Sequence, residues 1–138
     1  MRSSELLEPT GDRTRKVRAV LAVSSIAAGV IHAAVVPEHV EEAWIFGFFF
    51  LLAACFQIAW AIPAVFRPSF IVYATGTLAN GALIGIWLLS RTAGVPIGPD
   101  AWMPEPAQVL DVGATLLELI VVVGSVVVFR HRVWARTG

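Results

Sequence analysis

The sequence predicts an all-α integral membrane protein, an antiparallel bundle of four spanning helices, and three observations carry that expectation. Hydrophobic residues make up 57% of the 138 and charged residues only 14%, with a mean hydropathy of +0.77, which lies outside the range of soluble domains. Four apolar runs, each close to the roughly 20 residues that a bilayer crossing needs, alternate with short polar or proline-bearing stretches. The formal charge sums to zero, yet nine of the ten Lys and Arg residues fall on one side of a four-span arrangement.

Residues 1–15 mix charge with Pro9 and Gly11 and show no periodicity, so they read as a flexible cytoplasmic tail. The first span is expected over 17–36, stopped by Pro37, which cannot continue the hydrogen-bond ladder. Arg13, Arg15, Lys16 and Arg18 ahead of it imitate a signal peptide. Three further spans follow, however, and His32 would sit in the hydrophobic region, so an uncleaved helix fits better. An acidic turn, 37–42, leads to a second span over 43–62, aromatic at its start and ended by Pro63. Pro68 opens a third span over 69–89, and a proline-rich loop from Ser90 to Glu105 precedes a fourth over 107–129, with Pro106 placed for its first turn. Residues 133–138 read as a second cytoplasmic tail.

Arg91 is the one basic residue opposite the other nine, so both termini are expected in the cytoplasm of a multi-pass plasma (inner) membrane protein. The outer loops carry Glu38, Glu41, Glu42, Asp100 and Glu105 and are acidic. Trp44, Trp87 and Trp102 fall at the outer boundary and Trp134 at the inner one, as interfacial belts require. Small residues at helical spacing, Gly47, Ala54 and Ala61 on the second span and Thr77, Gly81 and Gly85 on the third, are expected to let backbones approach. The single cysteine, Cys55, excludes an intrachain disulfide and a cysteine cage for zinc. Composition shows no repeat and no nucleic-acid signature; the expected partners are the lipid bilayer and other membrane subunits or further copies of the chain.

The fourth span carries the main anomaly. Gln108, Asp111, Thr115, Glu118 and Ser125 recur at steps of three, four and seven and so share one face. A carboxylate at mid-bilayer costs about 2.5 to 3.5 kcal/mol on insertion scales, so that face must point inward and find partners. On the first span Ser25, His32 and His39 also recur every seven residues. Counting helical rise from the outer surface puts His32 about 10 Å deep, Asp111 about 8 Å and Glu118 about 18 Å. Gln57 and Asn80 fall about 21 and 15 Å deep, so every helix offers a hydrogen-bonding group near the level of Glu118.

Three readings of this cluster follow. It is a structural clasp, in which Ser25, Gln57, Asn80 and a neutral Glu118 lock the bundle. It is a cation or polar-ligand site, in which His32, Asp111 and Glu118, with His39 at the mouth, hold a divalent ion such as zinc, copper or iron; a bis-His haem fits less well, since the His pair lies on one helix. Or it is a proton-linked pocket of a transporter or membrane enzyme, although no catalytic motif accompanies it and Ser24 or Ser25 has only His32 nearby. Arg91 is expected to pair with Glu42, Glu105 or Asp111.

The runs from His32 through Pro37 to His39, from Gly47 through three phenylalanines to Gln57, and from Ser90 and Arg91 to Pro99 resemble a group of small, functionally uncharacterised four-span bacterial membrane proteins. The His-plus-Pro end of the first span is similar to DoxX-type four-helix proteins. The resemblance implies the topology and neither an activity nor a cofactor. The expected function is therefore the holding of a cation or polar ligand in a His and carboxylate cluster of the outer half. The rival is a subunit of a larger membrane complex in which the cluster only clasps.

Overall fold

The computed structural model describes residues 9–137, with side chains described over residues 11–130. Four helices account for most of it: α1 (Pro9–Glu42), α2 (Trp44–Phe66), α3 (Phe70–Thr92) and α4 (Val109–Thr137). No strand occurs among the described residues, and all four helices are long and apolar enough to cross a membrane. Arg2, together with the side chains of His131, Arg132, Trp134 and Arg136, lies outside what is described.

The helices run further than the prolines imply. Helix α1 begins at Pro9, inside the stretch expected as a tail, and continues through Pro37 to Glu42, so the acidic turn is helical. Helix α2 likewise passes Pro63 and ends at Phe66. A proline removes one i→i−4 bond, but spanning helices tolerate that loss where neighbouring groups satisfy the freed carbonyl. The turn from α1 into α2 is consequently a single non-helical residue, Ala43, whose N–H donates to the His39 carbonyl at 3.0 Å. Gly47 makes this turn possible, because a Cβ there would overlap Val40.

Ser69 caps α3, its Oγ accepting from the Val72 N–H at 3.3 Å. The helix extends past Leu89 to Thr92, which places Arg91 on helix rather than loop. At its C-terminus Gly94, with φ +77°, donates to the Leu89 carbonyl at 3.0 Å and packs under the Trp102–Met103 backbone. The segment before α4 is held down by bonds from Trp102 N–H to Val95 O and from Glu105 N–H to Ser90 O. Helix α4 starts at Val109, later than Pro106 implies, and carries on through residues 133–137, expected as a tail.

Contacts between α1 and α2 run in opposite chain order: Arg18 meets Val65, Ser25 meets Gln57 and His39 meets Phe50. Phe70 at the start of α3 lies 5.1 Å from Phe129 near the end of α4, ring centre to ring centre. Arg18, Arg67 and Arg130 therefore share one end of the bundle, while Glu42, Arg91, Glu105 and Asp111 share the other. Helix α1 lies mainly against α2 and α4, and α3 against α4, whereas α2 and α3 touch at few points.

Trp60 makes two of these contacts in the basic half. Trp60 Nε1 donates to the Val72 carbonyl at 2.7 Å, and its ring lies so close over Gly76 that a Cβ there would overlap it. With Leu21, Ala64, Tyr73, Val121 and Val128, Trp60 forms the apolar core. Gly47, Ala54 and Ala61 are buried as expected. The stripe on α3 is not: Gly81 and Gly85 face open space, and Gly76 is the glycine that admits a neighbour. Gly81→Ala and Gly85→Ala should leave thermal unfolding unchanged or raise stability by up to about 1 kcal/mol, since the exposed helical glycines carry only a backbone-entropy penalty.

Candidate functional site

Gln57 is the point on which all four helices converge. Its Oε1 lies 2.9 Å from His32 Nδ1 on α1, and its Nε2 donates to Asn80 Oδ1 on α3 and to Glu118 Oε1 on α4, each at 3.0 Å. Gln57 and Asn80 are 0% exposed, Glu118 2% and His32 7%. Ser25 reinforces the junction by donating to the Gln57 backbone carbonyl at 2.7 Å.

The network has a direction that its chemistry dictates. Asn80 Nδ2 donates to the Gly76 backbone carbonyl at 2.8 Å, and a carbonyl can only accept. Asn80 therefore turns its Oδ1 to Gln57, which fixes the Gln57 amide with Nε2 toward Asn80 and Glu118. Gln57 Oε1 then faces His32, so His32 carries its proton on Nδ1. Its other nitrogen, Nε2, lies 3.6 Å from Glu118 Oε1, beyond a direct hydrogen bond but within ion-pair reach. One further proton between these two residues, on either His32 or Glu118, leaves the pair electroneutral. Burial of a net charge is thereby avoided.

Asp111 does not join this pair. Its Oδ2 accepts from the Gln108 N–H at 3.1 Å and from Arg91 at 2.6 Å, while Arg91 also donates to Glu105 at 2.6 Å. Asp111 is thus in the first turn of α4, where a carboxylate satisfies an orphan N–H and complements the helix dipole. Glu118 lies seven residues, about 10 Å, deeper. His39 turns away too, its Nδ1 donating to the Val35 carbonyl at 2.8 Å. The Phe50 ring packs against both histidines, with centres 4.1 Å from His39 and 5.4 Å from His32.

The four candidate ligands His32, His39, Asp111 and Glu118 are not brought together. Among the described residues no group of three His, Cys, Asp or Glu side chains is disposed to hold an ion. His32 and Glu118 alone supply two ligands, because Arg91 holds Asp111 and the Val35 carbonyl holds His39. Thr115 lines the cavity described below, and Ser125 is fully buried with no partner for its Oγ among the described residues, so neither belongs to the network.

What the sequence did not single out is a cavity of about 420 Å³ between the polar junction and the acidic end. His32 and Glu118 lie at its inner limit, and Glu42, Arg91, Glu105 and Asp111 at its outer one. Between them the wall is apolar and aromatic, with Phe46, Phe49 and Phe50 from α2 and Leu83, Ile86 and Trp87 from α3. Trp87 is therefore a wall residue, whereas Trp44 and Trp102, 72% and 63% exposed, stay on the surface. A second hollow of about 320 Å³ adjoins the outer end and adds Glu38 and Asp100. The 3- and 4-residue spacing of Phe46, Phe49 and Phe50, with Gln57 seven beyond Phe50, was the available signal. Against family models, curated proteins and solved structures the chain finds no match.

Proposed function

We propose that the chain is an antiparallel, multi-pass protein of the plasma (inner) membrane, with both ends in the cytoplasm, that binds a small amphipathic molecule from the outer side. Segregation of the basic side chains to one end supports the orientation. The cavity carries the binding reading: about 420 Å³ is within the range of small-molecule sites. Its apolar wall between two polar limits is the usual composition of such sites. A ligand would bury its body among the phenylalanines and turn its head to one of the two polar limits.

A second reading has its own support. Because Gln57 satisfies one polar group from each other helix, the junction also serves as a clasp, and the protein would then be an accessory subunit of a membrane complex. Filling the cavity separates the two. Leu83→Trp should abolish copurification of a stoichiometric small molecule, read by mass spectrometry of solvent extracts, and leave the unfolding temperature of the extracted protein within a few degrees. Identical extracts from both proteins would count against a binding function and leave the clasp.

A further inference from the structure

We propose that the cavity takes a hydrophobic organic cation, its apolar body against the ring faces of Phe46, Phe49, Phe50 and Trp87 and its charge toward the carboxylates of the outer rim. The inference rests on the binding reading above and adds the sign of the ligand's charge.

Three observations carry it. The first is the charge at the entrance. The cavity and the hollow that adjoins it are bordered by Glu38, Glu42, Asp100, Glu105 and Asp111 against the single guanidinium of Arg91. Arg91 donates to Glu105 and to Asp111 at 2.6 Å each, so one positive charge is shared by two negative ones and that triad is itself anionic. Glu38, Glu42 and Asp100 have no ion-pair partner among the described residues. An anion approaching this opening is repelled at every step and a cation is drawn in, more strongly because the apolar walls focus the field.

The second observation is the wall. Three phenylalanines and a tryptophan line the wall, and aromatic rings, whose faces carry a negative quadrupole, attract an ammonium or phosphonium centre that has lost its water. A simple metal ion, still hydrated, gains nothing from them. The third is the inner limit. His32 Nε2 lies 3.6 Å from Glu118 Oε1, so any positive charge on the imidazole faces a carboxylate and the inner end carries no uncompensated positive charge to oppose a cation.

The test uses two probes of one shape and opposite charge, tetraphenylphosphonium and tetraphenylborate, with uncharged triphenylphosphine oxide as a third. Binding is measured by calorimetry on the full-length protein in lipid nanodiscs, against empty nanodiscs. The expected result is saturable binding of the phosphonium at one site per chain, at least tenfold tighter than the borate. Glu42→Gln on the exposed rim should weaken it at least threefold. Binding of the oxide alone, or borate equal to phosphonium, would overturn the charge assignment while leaving the pocket. No saturable binding of any probe, with Leu83→Trp indistinguishable from wild type, would overturn both.

Discussion

Replacing Gln57 by Met should cost about 2 to 4 kcal/mol of stability, the largest loss expected from any near-isosteric change in this chain. The substitution keeps most of the side-chain volume and removes a junction that holds three partners. Intramembrane hydrogen bonds are individually weak, about 0.6 kcal/mol on average, so the lost bonds alone account for about 2 kcal/mol. Leaving His32 Nδ1 and Asn80 Oδ1 buried without partners adds the rest, at about 1 kcal/mol or more for each group. Asn80→Leu should cost less, since Gln57 keeps Glu118 as an acceptor. Reversible unfolding in mixed micelles, compared across wild type, Gln57→Met and Asn80→Leu, checks both the size and the order.

Gly76→Leu should be more damaging still, at about 3 kcal/mol or more. The Trp60 ring occupies the space above Gly76, and its Nε1 bond to Val72 O, with the Tyr73 hydroxyl bond to the Ala64 carbonyl, holds α2 against α3 in the basic half. A Leu side chain has nowhere to go without displacing that ring, and the N–H would lose its only acceptor. Because α2 and α3 touch at few other points, the expected outcome is exposure of the buried Trp60 ring, seen as a red shift of tryptophan emission together with a lowered unfolding midpoint. Gly81→Leu, one and a half turns along and facing open space, is the control and should be tolerated.

Much of this architecture was readable before any coordinates. The four apolar runs give the helices, and counting rise per residue puts Gln57, Asn80 and Glu118 near one depth, where the structure joins them; His32, placed nearer the surface by that count, joins them as well. The helix ends were less legible, because Pro37 and Pro63 stop helices in water but here lie within α1 and α2. Starting α4 too early at Pro106 left Asp111 among the candidate ligands, although its pairing with Arg91 was among those expected and the structure shows Arg91 on both Glu105 and Asp111. The glycine stripe was misread for a related reason: spacing shows that Gly81 and Gly85 share a face, but only the neighbours show whether that face is occupied. The cavity was invisible in the sequence because it is made of what α2 and α3 do not fill.

The arrangement of the junction accounts for both histidines. Phe50 lies against both histidines, and each is tied by its Nδ1 to an oxygen, one to Gln57 and the other to the Val35 carbonyl. Neither is poised to meet the other. What remains open toward the cavity is the His32 and Glu118 pair.

The most direct measurement is solid-state NMR of the histidine and glutamine side chains in lipid bilayers, with ¹⁵N-labelled His and ¹³C-labelled Gln. The predicted result is a His32 ring protonated at Nδ1, with a through-space cross-peak from that nitrogen to the Gln57 carboxamide carbon that vanishes in Gln57→Met. A His32 ring protonated only at Nε2, or one with no contact to Gln57, would contradict the account.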